Sequence, residues 1–151
     1  MFSQTTEYAL RAMACLAVAT DRFVPTTALA GKTLVPGTYL AKVLQDLATA
    51  RLIVGRRGVG GGYRLARRAD QITILEVVAQ VGIVRCPYLC PLGRTSEGIS
   101  TCALHGVLDE AAEAVARVLD GVSLWGLVGT EEGLRRPLCV GGNGHHHDQT
   151  T

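Results

Sequence analysis

Cys86, Cys90 and Cys102 lie within seventeen residues of one another, and His105 follows the last of them at Cys-x-x-His spacing. Thiolates gathered in this way are soft donors suited to zinc, copper or an iron-sulfur centre, and an imidazole can complete such a set. The stretch around them, R-C-P-Y-L-C-P-L-G-R-T-S-E-G-I-S-T-C, offers little that could pack, so it needs a central ligand or a partner to become ordered. Thiol redox chemistry at Cys86 and Cys90 and unligated thiols are the alternatives; the C-x-x-x-C spacing departs from the usual C-x-x-C redox pair. Cys15 falls within an apolar helical pattern and reads as a small buried hydrophobe, and Cys139 reads as a free thiol beside a polar end.

The N-terminal residues Met1-Phe2-Ser3-Gln4 lack a basic segment followed by a long apolar run, and no stretch approaches the length of a membrane span. The expectation is a soluble, cytoplasmic protein whose thiols are kept reduced, which favours metal over disulfide. A chain of 151 residues with 48% hydrophobic composition can bury a core without disulfides. Its net charge of +2 conceals an asymmetry: residues 1–70 carry ten Lys and Arg against four Asp and Glu, whereas residues 71–151 carry five against nine. The basic half predicts a polyanionic partner and the acidic half a separate task such as sensing or pairing.

The elements that must position these groups follow from periodicity. Residues 3–19 read as a helix that is apolar nearly all round, with Leu10, Met13, Ala14 and Ala17 on one face and Tyr8, Ala12, Cys15 and Ala19 on the other. Such a helix belongs deep in a fold or between subunits. Thr26 is expected to cap a short helix that Gly31 ends, and a second helix runs from about Pro36 to Ala50 with Leu40, Val43, Leu44 and Leu47 as its apolar stripe. Two short helices a turn apart predict a helix-turn-helix. Residues 52–57 and 63–67 read as strands joined by Gly58-Val59-Gly60-Gly61-Gly62, a hairpin with a glycine tip, or wing. A dinucleotide-binding reading of these glycines fails, because Tyr63 stands where G-x-G-x-x-G requires its last Gly and a strand rather than a helix follows.

Thr73 and Glu76 have the spacing of a capping box ahead of Val77, Val78 and Val81, with Gly82 as the stop. After the cysteine segment, a helix from about Cys102 to Asp120 carries Leu104, Leu108, Ala111, Val115, Val118 and Val122 at alternating spacings of four and three, the pattern of a coiled-coil seam. The expected fold is mainly α with a small β-hairpin: a winged helix-turn-helix over 1–70, a ligand-binding segment and dimerisation helix over 71–128, and a flexible tail over 129–151. No Ser, His and Asp constellation for nucleophilic catalysis is visible, so an enzyme is not expected.

Four stretches resemble one family: Glu7-Tyr8-Ala9-Leu10-Arg11-Ala12, Tyr39-Leu40-Ala41-Lys42-Val43-Leu44, Arg57-Gly58-Val59-Gly60-Gly61-Gly62-Tyr63, and the cysteine segment running into Cys102-Ala103-Leu104-His105. Together, over about residues 2–128, they resemble the Rrf2 family of bacterial transcription regulators, which includes IscR, NsrR and RsrR. The resemblance implies a homodimeric winged helix-turn-helix protein whose iron-sulfur cluster (2Fe-2S or 4Fe-4S) controls affinity for a palindromic operator in double-stranded DNA. It implies Cys86, Cys90 and Cys102 as metal ligands, or Cys90 and Cys102 with non-thiolate partners. The family's cysteines are usually evenly spaced, whereas here the gaps are three and then eleven residues. Two residues compete for a remaining position. Glu7 aligns with a first-helix carboxylate supplied across the dimer in some members, and His105 with the histidine ligand of IscR. Each also has a plain reading, Glu7 as a carboxylate favoured by the helix dipole and His105 as a polar first-turn residue. The histidine that RsrR uses near its helix-turn-helix is absent from Gly31-Lys32-Thr33.

On this reading the DNA-facing residues are Lys32, Thr38, Tyr39, Lys42 and Gln45 on the helix-turn-helix, with Asp46 at its edge, and Arg56, Arg57 and Arg64 on the wing. Arg51, Arg67 and Arg68 are further cations available to phosphate. The rival is a zinc-stabilised or thiol-switched winged-helix regulator without a cluster, for which a Cys3His site would serve.

Overall fold

The computed structural model describes residues 2–19, 21–82 and 103–129. Helix α1 spans Gln4–Val18; Ser3 caps it by accepting from the Thr6 backbone N–H, and Thr6, Ala9 and the run from Ala12 to Ala17 are buried. Burial on every side is what its apolar residues predict: α1 is the axis of the molecule. It packs against α2 (Thr26–Thr33), α3 (Gly37–Thr49), α4 (Ile74–Val81) and α6 (Leu124–Val128). Its many alanines let those four helices approach closely, and the larger Met13, Leu29, Leu40, Leu44, Leu47, Val77 and Leu124 fill the space between them. Cys15 is buried within this core, as its place in the pattern predicts.

The helix-turn-helix differs from expectation at its turn. Gly31 does not end α2; the helix continues to Thr33 and stops at Leu34, which adopts φ 56° and ψ 29°. The left-handed conformation of a non-glycine residue costs about 1 kcal/mol, but two hydrogen bonds favour the extension. The Leu34 N–H donates to Ala30 O, and buried Thr33 donates from Oγ1 to Leu29 O at 2.7 Å. Nor does Thr26 cap α2: Pro25 holds that place without a side-chain hydrogen bond, and Thr26 is the first helical residue. Pro36 likewise precedes α3 rather than lying in its first turn. The stripe of Leu40, Val43, Leu44 and Leu47 is buried as its spacing predicts.

Strands β1 (Ile53–Arg56) and β2 (Gly62–Leu65) pair antiparallel, with Ile53 opposite Leu65 and Arg56 opposite Gly62. The linker before α2 runs antiparallel beside β2, and Val24 and Tyr63 exchange backbone hydrogen bonds of 2.8 and 2.9 Å. Only glycine fits at position 62: φ is +136°, and a Cβ there would lie 2.2 Å from Val24 O.

A short 3-10 helix (Ala69–Gln71) leads into α4, where the capping box forms as predicted: Thr73 Oγ1 accepts from the Glu76 N–H at 3.2 Å, and Glu76 Oε2 accepts from the Thr73 N–H at 2.9 Å. Gly82 ends α4. Helix α5 runs Ala103–Asp120 and packs against α4. Along its expected seam Leu104, Ala111, Val118 and Val122 are exposed and Leu108 and Val115 half-buried, while Leu119 packs on the core. Helix α6, which periodicity does not foretell, buries Leu124 and Val128 against α1. It is tied down by reciprocal bonds, Leu124 N–H to Ile72 O at 2.7 Å and Ile74 N–H to Val122 O at 2.9 Å. Of the expected tail over 129–151, Gly129 ends α6 and the remainder lies outside the described residues.

Candidate functional site

The amphipathic pattern of α3 leaves one face for a partner. With its apolar stripe turned to α1 and α2, Thr38, Tyr39, Lys42 and Gln45 are exposed, Asp46 is half-buried, and Lys32 is exposed on α2. Tyr39 is 60% exposed. Its ring meets Tyr8 of α1 edge-on, with centroids 6.4 Å apart, so α3 and α1 touch through two aromatic rings.

On the wing, strand alternation puts Val54, Arg56, Gly62 and Arg64 on the face away from buried Ile53. Arg56 and Arg64 are not loose cations. Their guanidinium carbons lie 4.3 and 5.3 Å from the centroid of the Phe23 ring, and Arg56 Nη2 also donates to Gly60 O at 2.6 Å. Arg57 is exposed and has neither hydrogen bond nor ion pair among the described residues. Phe23 escapes a reading of the sequence because its role depends on the linker pairing with β2, a contact between residues thirty-nine positions apart.

Two of the cations expected to be available to phosphate are already engaged. Arg67 donates from Nη2 to Glu76 Oε1 at 2.6 Å, and Arg68 forms a forked pair with Asp70 at 3.1 and 2.7 Å. The Arg68 hydrogen bond holds the Asp70 carboxyl below its ordinary value. Burial pushes the Glu76 carboxyl upward, but the Arg67 hydrogen bond, the Thr73 N–H and the charge of Arg67 outweigh it and leave the carboxyl below the usual range. Both arginines therefore serve the junction between wing and α4.

The expected ligands divide. Cys86, Cys90 and Cys102 lie outside the described residues, as does the side chain of His105, whose backbone is in the first turn of α5. Glu7 is exposed on the first turn of α1, 3.9 Å from Arg11. Its neighbour Thr6 is buried and abuts Gly82, where the cysteine-bearing segment begins: a Cβ on Gly82 would lie 2.6 Å from Thr6 Oγ1. The structure thus brings the first turn of α1 to the root of that segment. No helix among the described residues is long and apolar enough to cross a membrane.

Comparison with known proteins bears on this arrangement. The Rrf2 family, described as iron-dependent transcriptional regulators, matches residues 2–130. BadM of Rhodopseudomonas palustris, designated an HTH-type transcriptional regulator, is 33% identical over 93% of this chain and 89% of its own length. The HTH-type transcriptional regulator IscR of Aliivibrio salmonicida is 29% identical over 78% and 70%. Among solved structures, CymR, the global cysteine regulator of B. subtilis, superposes with a TM-score of 0.68 at 22% identity, covering 85% of this chain and 96% of its own. That likeness supports the winged-helix fold. The match extends from α1 through the cysteine segment to α6, and so the chain belongs to the Rrf2 family of transcriptional regulators and is not an enzyme.

Proposed function

We propose that the chain binds a palindromic operator in double-stranded DNA as a cytoplasmic homodimer, and that an iron-sulfur cluster sets its affinity. Cys86, Cys90 and Cys102 would hold the cluster, with Glu7 or His105 completing the ligand set. The donor chemistry fits: soft thiolates from one segment with one carboxylate or imidazole. Glu7 is suited to a ligand role because its 3.9 Å surface pair with Arg11 is worth about 0.5 kcal/mol or less and is easily given up. When bound, such a centre supplies sensitivity to oxidation, nitric oxide or iron loss, each of which alters its charge and ligation.

The observation that carries the reading is the path from the ligand segment to the reading helix. Gly82 at the root of the segment abuts Thr6, Glu7 follows Thr6, and Tyr8 packs edge-on against Tyr39 of α3. A pull on the first turn of α1 would therefore bear on the exposed face of the reading helix. In a two-fold dimer built on the exposed seam of α5, it would also alter the separation of the two reading helices. Phosphate neutralisation by Lys32, Lys42, Arg57 and the stacked Arg56 and Arg64 supplies general affinity, while Thr38, Tyr39 and Gln45 reach towards base edges.

A second reading is favoured by the uneven cysteine spacing: a thiol-switched or zinc-stabilised regulator. Anaerobic purification with an ultraviolet-visible spectrum and iron, sulfide and zinc analysis of one sample separates them. Brown protein with near-equal iron and sulfide is the expected result. Colourless protein with stoichiometric zinc favours the structural-metal reading, and neither metal favours a thiol switch.

A further inference from the structure

We propose that Phe23 is the positioning residue of the wing: it holds the Arg56 and Arg64 guanidinia together on one face of the hairpin for contact with the DNA backbone. The inference rests on the DNA-binding reading and extends it to a residue outside the helix-turn-helix and the wing. The geometry begins with the bridge between Val24 and Tyr63. In antiparallel register that bridge sets Phe23 beside Arg64, and the pleat turns both away from the core face, which Val24 joins. Arg56 shares that face from the other strand and lies opposite Gly62, which has no side chain to fill the space between. The half-buried Phe23 ring thus meets both guanidinia, at 4.3 and 5.3 Å from its centroid.

Two like charges drawn to one ring repel each other, and the negative face of the ring offsets that repulsion. A guanidinium held over a ring by its charge spends no N–H donor on that contact and keeps its donors for phosphate oxygens. Arg56 spends one donor on Gly60 O, which ties it to the glycine tip, and keeps others. Two long side chains are therefore ordered before DNA arrives, which lowers the entropic cost of the contact.

The test uses the full chain and a duplex it selects from a random-sequence library, with affinity measured across a salt series. Phe23→Leu should weaken binding by roughly three- to tenfold, the range expected for removing one or two cation–π interactions. The slope of affinity against salt should stay as in the parent, because the cations remain. Phe23→Tyr should bind as the parent does. In an Arg56→Ala/Arg64→Ala background, Phe23→Leu should have no further effect. Parental affinity for Phe23→Leu, a weakening of the same size without the two arginines, or a Tyr variant as weak as the Leu variant would each overturn the proposal. Phe23→Met, which keeps comparable bulk without an aromatic face, replaces Phe23→Leu if the latter lowers the melting point. Failure of the parent chain to bind any duplex would instead remove the DNA-binding reading itself.

Discussion

Arg56 and Arg57 are neighbours in sequence and differ in what holds them. Arg56 stacks on Phe23 and donates to Gly60 O, while Arg57 stands exposed at the edge of the glycine tip. Arg57→Ala should weaken binding to all duplexes alike and flatten the dependence of log affinity on log salt by about 0.9, the share of a single neutralised phosphate. A salt titration in which variant and parent superimpose would contradict this. Among the proposed ligands, Cys90 enters both candidate sets, so Cys90→Ser should abolish the visible absorption of the anaerobic protein and its bound iron and sulfide. Retention of parental iron and sulfide by this variant would remove Cys90 from the site.

The elements show which chemistry is local. The capping box of α4 is readable in the sequence because Thr73 and Glu76 need only each other and their own backbone. The pairing of Glu76 with Arg67, nine residues away, is not. Because the folded-state Glu76 carboxyl titrates below its unfolded value of about 4.3, its stabilising contribution is present above that pH and is lost as pH falls through the lower folded-state value. Glu76→Gln should therefore melt below the parent at neutral pH, and the gap should narrow once pH falls below about 4. A gap that is constant with pH, followed by circular dichroism, would contradict the assignment. Thr73→Ala should cost about 1 kcal/mol through the same cap. Periodicity likewise reveals α1, α3, the hairpin and α5. It misses α6, whose five residues are too few to show a period and whose place depends on bonds to Ile72 and Ile74. It also ends α2 at Gly31, because the side-chain bond of Thr33 and the left-handed Leu34 leave no mark in composition.

At the scale of the whole molecule, the basic half forms the helix-turn-helix and wing, and α4 and α6 of the acidic half close the same core around α1. Two of the basic half's arginines, Arg67 and Arg68, turn to carboxylates of the protein itself, so its charge overstates what DNA can meet. The seam of α5 leaves Val118 68% exposed, an apolar surface that a second copy would cover. If the proposed dimer is built on this seam, Val118→Glu should shift the sedimentation coefficient from dimer towards monomer and weaken operator binding with it; a monomeric parent, or a variant that sediments as the parent does, would contradict a dimer on α5. In the proposed mechanism the state of the ligand segment sets DNA affinity through α1. The most direct test is the affinity of cluster-loaded and chelator-stripped protein for the same selected duplex at one salt concentration. A difference of about tenfold or more is predicted, within the usual range of coupling between sites. Equal affinity in the two states would contradict the account.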